Sequence, residues 1–141
     1  MKKEVTLTMI KPFAVKEHNI GEILSYIERT GFHIRALKMT QLAKEKAAIF
    51  YDEHKDKPFF NELINFMSSG PVVTAILEKE NAVEDFRKLI GSTDPDKAAK
   101  GTIRRVFAKD KTRNAIHGSD SIESAKKECR FFFSEIEEFM Y

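Results

Sequence analysis

An α+β fold, with four antiparallel strands in one sheet and helices packed on one face, follows from three observations on the 141-residue chain. Val5, Leu7 and Met9 alternate with Thr6 and Thr8, the period of two that a half-buried strand requires. Between strand-like stretches, apolar residues recur at helical spacing, first at Ile20, Ile23, Leu24 and Ile27, then at Ala82, Val83, Phe86 and Ile90. Val72 to Leu77 is a mostly apolar run of strand length, buried on both faces if it is central. The order reads β-α-β-(αα)-β-α-loop-β-α with no linker or repeat, which suits the ferredoxin-like plan and one domain over residues 1–141.

The first strand runs into Lys11-Pro12. Asn19-Ile20-Gly21-Glu22 then resembles a capping box, and Gly31 stops the helix that it opens. His33 to Leu42 is a second strand with imperfect alternation. Lys44 to Tyr51 and Pro58 to Met67 read as a helical hairpin, and Gly70-Pro71 breaks the pattern before the third strand. Asn81-Ala82-Val83-Glu84 offers another capping box. Ser92 to Arg113 has little period of either kind and reads mostly as an exposed loop, of a length that is usually functional. Ala115 to His117 is the fourth strand. Ser121 to Arg130 is a closing helix with Ile122, Ala125 and Cys129 on one side, and Phe131-Phe132-Phe133 docks the tail.

Composition narrows the function classes. Lys and Arg number 24 against 22 Asp and Glu, a formal +2 too balanced to demand a nucleic-acid or membrane-surface partner. A single cysteine, Cys129, cannot form an internal disulfide, and Val5 to Ile10 is too short for a signal segment, so a reducing cytoplasm is the expected compartment. No stretch approaches the roughly 20 apolar residues of a membrane helix.

Chemistry concentrates at Asn114-Ala115-Ile116-His117-Gly118-Ser119-Asp120-Ser121, where one histidine lies between an apolar run and a helix start. Backbone N–H groups at such a start welcome an anion, and a neutral imidazole is a competent nucleophile at physiological pH. Taken alone, a histidine at a strand end is an ordinary structural residue. There is no G-x-x-x-x-G-K-[ST] and no G-x-G-x-x-G, so phosphates would be held by side chains. Lys11, Arg87 and Arg104 sit at element ends or beside loops, from which long cationic side chains can reach a shared pocket.

Six segments in order make a specific pattern. They are Met9-Ile10-Lys11-Pro12; Tyr51 with His54 to Phe60; Ser69 to Val73; Gly91-Ser92-Thr93-Asp94-Pro95; Gly101-Thr102-Ile103-Arg104; and Arg113 to Ser121. With them nearly the whole chain resembles the nucleoside diphosphate kinase family. The resemblance implies that family's ferredoxin-like fold and the transfer of a γ-phosphate between nucleotides through a phosphohistidine at His117. It implies Lys11 and Arg104 on the transferring phosphate, Arg87 and Thr93 on the β-phosphate, and Asn114 with Lys11 on the sugar hydroxyls. Tyr51 would sit beside His117 and Lys11, Ser119 near the developing charge, Glu128 on the second imidazole nitrogen, and Phe59 against the base. A stacked ring reads no base edge, so broad base tolerance follows. Magnesium would enter with the triphosphate, held by phosphate oxygens and water with no protein cage.

Three residues depart from the family pattern. Phe13 stands where Asp usually follows Lys-Pro, and Arg105-Val106 stand where a small or variable residue and Asp usually follow Gly-Thr-Ile-Arg. Catalysis should survive, while loop conformation and subunit contacts are open to change. His18, His33 and His54 read as non-catalytic. The resemblance also implies a homo-oligomer of dimers through the His33 to Leu42 edge, a hexamer first and a tetramer second. The rival reading is a ferredoxin-like nucleic-acid-binding module, prompted by the basic segment Arg104 to Arg113, but the Lys/Arg-Gly-Phe motif of such RNA-binding modules is absent.

Overall fold

The computed structural model describes residues 3–141. Four strands form one antiparallel sheet: β1 (Lys3–Ile10), β2 (His33–Thr40), β3 (Val72–Glu80) and β4 (Ile116–Gly118), in the order β2-β3-β1-β4. Helices α1 (Pro12–Lys16), α2 (Ile20–Arg29), α3 (Lys44–Phe50), α4 (Phe60–Met67), α5 (Ala82–Ile90), α6 (Ile103–Phe107) and α7 (Ile122–Phe132) complete it. Among the described residues no helix is long and apolar enough to cross a membrane.

The sheet is covered on both faces, not on one as the sequence suggested. Ile10, Val73, Ala75 and Leu77 pack under α2, α5 and α6 with Ile23, Ile27, Phe86 and Ile103. Leu7, Met9, Val72 and Ile76 pack under α3, α4 and α7 with Ala47, Met67, Cys129 and Phe132. The central β3 explains this: Val72 to Leu77 is buried without a break, so neither face can be left to water.

Other expectations are corrected locally. The imperfect alternation of the second strand comes from a register irregularity between Ile34 and Ala36, where β2 slips against β3. Neither expected capping box forms. Asn81 adopts a left-handed conformation (φ 56°), its carboxamide donates to Glu84 and Asp85, and the Val83 N–H is taken by Glu4 of β1. Asn19 makes no side-chain cap. The expected loop over 92–113 contains α6, whose Ile103 is fully buried, and Ile122 is half exposed rather than on the buried side of α7.

Candidate functional site

Antiparallel pairing sets Met9 opposite His117. The two-residue period therefore sends Ile116 into the layer beneath α5 and His117 toward α3 and α7. Gly118 returns to the α5 side, where a Cβ would lie 2.9 Å from the Phe86 ring, so the strand leaves no room there for a side chain. β4 is an edge strand, and side chains from both helical layers line the cleft that His117 borders.

The imidazole is held from behind. Its Nε2 lies 2.8 Å from Glu128 Oε1, the same oxygen that accepts a 2.8 Å hydrogen bond from the Ser119 hydroxyl. Ser119 Oγ in turn accepts from the Leu7 N–H, and the Thr8 hydroxyl donates to the His117 carbonyl. Glu128 falls on the inner side of α7, one turn from the buried Ala125 and Phe132. A carboxylate at Nε2 fixes the ring proton there and leaves Nδ1 with its lone pair. Tyr51 stands edge-on to the ring, with centroids 6.2 Å apart.

In front lies a cleft of about 560 Å³, lined by Lys11, Tyr51, Phe59, Arg87, Thr93, Arg104, Asn114, His117 and Glu128 among others. All ten site residues expected from the sequence gather here except Ser119, which is fully buried and reaches the site through Glu128. Lys11 is 5% exposed; burial, with the Arg104 charge beside it, pulls its pKa down to about 7. Arg104 donates to the carbonyls of Gly91 and Ile116, both at 2.9 Å, and burial, with Arg87 nearby, lowers it to about 10. Burial pushes the Tyr51 phenol up. Arg87 is half exposed and pairs with Asp120.

Four buried side-chain polar atoms among the described residues lack a hydrogen-bond partner, and three of them belong to this cleft: Tyr51 Oη, Arg104 Nε and Asn114 Oδ1. Leaving such groups unpaired costs about 1–3 kcal/mol each. Three basic side chains, Lys11, Arg87 and Arg104, with Tyr51 and Asn114 beside them around a nucleophilic nitrogen, call for a polyanion bearing hydroxyls.

A family model described as nucleoside diphosphate kinase matches residues 4–138. The chain belongs to the nucleoside diphosphate kinase family. Nucleoside diphosphate kinase 1 of Protochlamydia amoebophila is 55% identical over 133 residues, 94% of each chain. The enzyme of Pasteurella multocida is 55% identical over 99% of this chain and all of its own. Among solved structures, Aquifex aeolicus nucleoside diphosphate kinase superposes with a TM-score of 0.95 at 48% identity, covering 98% of this chain and 100% of that one. A halophilic one from Halobacterium salinarum, solved with CDP, gives 0.95 at 37% identity over 99% and 93%. The chain is thus a phosphotransferase on nucleotides with the ferredoxin-like α+β fold of its relatives.

Sequence reasoning missed three side chains of this nucleoside diphosphate kinase site. Phe50 packs on the His117 ring, and its position just before Tyr51 was the one available signal. His54, read as non-catalytic, lines the cleft between Tyr51 and Phe59, with ring centroids 6.4 and 5.7 Å away. Asp120 neutralises Arg87 across the sheet edge, which no local pattern reveals.

Proposed function

We propose that the γ-phosphoryl group of a nucleoside triphosphate passes to Nδ1 of His117 and then to a second nucleoside diphosphate. In the first half-reaction the Nδ1 lone pair attacks phosphorus and the bond to the β–γ bridging oxygen breaks, releasing a diphosphate. The second runs the same step backwards on a different acceptor. The observation that carries this reading is the convergence of Lys11, Arg87 and Arg104 with three unpaired buried polar atoms on a histidine whose other nitrogen is held by Glu128. Cations arranged around the equatorial oxygens stabilise a charge-dispersed transition state, and one such arginine can be worth about 10³-fold or more.

In this reading Lys11 and Arg104 hold the transferring phosphate, Arg87 and Thr93 the β-phosphate, and Asn114 with Lys11 the sugar hydroxyls. Tyr51 and the Ser119–Glu128 pair steady the imidazole as it gains charge. Phe59, 46% exposed at the mouth, offers its ring to the base. The Halobacterium relative was solved in complex with CDP, a pyrimidine nucleotide. Magnesium entering with the nucleotide would neutralise charge on the phosphates, held by phosphate oxygens and water. Besides Glu128, the carboxylates lining the cleft are Glu53 and Asp120, and Asp120 pairs with Arg87. A cytoplasmic location and a homo-oligomer built on β2 complete the proposal.

The test is labelling with [γ-³²P]ATP without acceptor. Wild type should take up acid-labile label and discharge it to any nucleoside diphosphate, while His117→Ala should fold normally by circular dichroism and take up none. Residual turnover of His117→Ala within about tenfold of wild type would rule out the phosphohistidine.

A further inference from the structure

We propose that Lys111 ranks the bases the cleft accepts, donating a hydrogen bond to a base with a carbonyl at its outer edge and disfavouring one with an amino group there. The proposal rests on the reading of Phe59 as the ring that stacks on the base. Lys111 is exposed and lines the cleft from the loop ahead of β4, a fourth basic side chain there beside Lys11, Arg87 and Arg104. Its basic neighbours in the chain are engaged elsewhere: Lys109 and Arg113 lie over the Phe13 ring, and Arg113 pairs with Asp110. The carboxylates of the cleft are engaged too, Asp120 with Arg87, Glu128 with His117, and Glu53 at 3.6 Å from His54. Among the described residues the Lys111 ammonium is therefore left without an ion pair, at the mouth of a site built for nucleotides.

Backbone and side-chain bonds fix where that mouth lies. The Ala115 carbonyl accepts from the Lys11 N–H, and the carboxamide of buried Asn114 donates to the Lys111 carbonyl, both at 2.9 Å. The residue read as holding the sugar hydroxyls thus also holds Lys111 in place, on the exposed side of that contact. The opposite wall is tied to the same loop, because the Thr112 hydroxyl donates to Glu62 of α4 at 3.2 Å. Glu62 follows Phe59 by three residues, the spacing that sets two side chains on one side of a helix. The loop bearing Lys111 and the helix start bearing Phe59 are therefore joined at one opening.

A base stacked on Phe59 with its sugar at Asn114 turns its far edge outward, toward Lys111. In a purine that edge carries the C6 substituent, and in a pyrimidine the C4 substituent. Guanine, hypoxanthine and uracil place a carbonyl oxygen there, whereas adenine and cytosine place an amino group. An ammonium has three donors and no acceptor, so it pairs with the carbonyl and meets the amino group donor to donor. The flexible four-carbon stem reaches either ring size, and an exposed ammonium can turn away to water, so bases are ranked and none is excluded.

The experiment gives the full-length enzyme [γ-³²P]GTP as donor and equimolar pairs of acceptors, inosine diphosphate with ADP and UDP with CDP. The initial split of label within each pair is the ratio of their kcat/KM values. Wild type should favour inosine diphosphate and UDP by about fivefold or more. Lys111→Met, which keeps the stem and removes the charge, should bring both ratios to within about twofold of one, Lys111→Arg should keep them, and Lys111→Glu should reverse them. Wild-type ratios already within about twofold of one, or ratios that Lys111→Met leaves intact while slowing all four acceptors alike, overturn the proposal. Phe59→Ala tells the two readings apart. A loss of kcat/KM shared by all four acceptors supports stacking on Phe59, so that unchanged ratios then count against Lys111 alone; no loss overturns the placement of the base, and the role of Lys111 with it.

Discussion

At Lys11 the fold buries an ammonium group beside a guanidinium, and its pKa falls to about 7. The unfolded chain keeps that proton up to about 10.4. Between those values the unfolded state binds more protons, so stability rises with pH across the window and is indifferent to Lys11 below it. Thermal unfolding of the free enzyme from about pH 6 to pH 10 should show a rise that Lys11→Met lacks; identical profiles would contradict it. The same linkage makes a bound polyphosphate restore the charge. Calorimetric titration at about pH 8 should find net proton uptake on diphosphate binding, seen as a dependence on buffer ionisation enthalpy, and lost in Lys11→Met. Arg104 joins the carbonyls of Gly91 and Ile116 while facing the cleft. Arg104→Ala should lower kcat by about 10²-fold or more with a smaller change in KM, because a contact that tightens with developing charge acts chiefly on the transition state. Steady-state kinetics decide, and a change confined to KM would refute it.

At the scale of elements, α6 is what turns a long connection into a wall. Ile103 and Phe107 anchor it in the core beneath α5, and Thr102 caps it by accepting from the Arg105 N–H. Gly91, at the C-terminal end of α5, sits at φ +86°, and a Cβ there would lie 2.6 Å from Thr102 Oγ1. Gly91→Ala should therefore cost about 2 kcal/mol or more, from backbone strain and the clash together, and should weaken catalysis by shifting the carbonyl that Arg104 holds. Urea unfolding measures the first and kcat the second; a wild-type midpoint would show that the loop gives way freely. The departures from the family pattern also belong here. Arg105 donates to the carbonyls of Pro95 and Asp96, and Lys109 and Arg113 lie over the Phe13 ring at 6.0 and 5.8 Å, so these two residues are tied to the loop. Val106 stays half exposed on its surface.

For the whole molecule, β2 is the edge opposite the site. Leu37 and Met39 are 48% and 58% exposed there, an apolar edge that invites pairing. The tail covers part of it: the Phe139 N–H donates to the Arg35 carbonyl, the Tyr141 hydroxyl to that of Ile34, and Glu137 pairs with Lys38. Two copies meeting along the uncovered part would form an isologous dimer, to be built into a hexamer, or failing that a tetramer. Sedimentation equilibrium at micromolar concentration should give a multiple of the 16.2 kDa chain, and Leu37→Lys should lower it. A wild-type mass near one chain would refute the assembly.

What the sequence by itself determined was local or compositional. Alternation placed β1, helical spacing placed α2 and α5, and the run of small and acidic residues after His117 placed the start of α7 at Ser121, whose hydroxyl accepts from the Ser124 N–H. The motif pattern named ten site residues, of which nine line one cleft. What only the tertiary structure decided were relations between distant segments. Helices lie on both faces because β3 is central, a fact of strand order that no single stretch encodes. α5 takes its cap from Glu4, nearly 80 residues earlier in the chain, in preference to its own Asn81. Phe50 meets His117 only once α3 and α7 pack on the same face, since side-chain period tells which residues share a face and three-dimensional packing tells what that face meets.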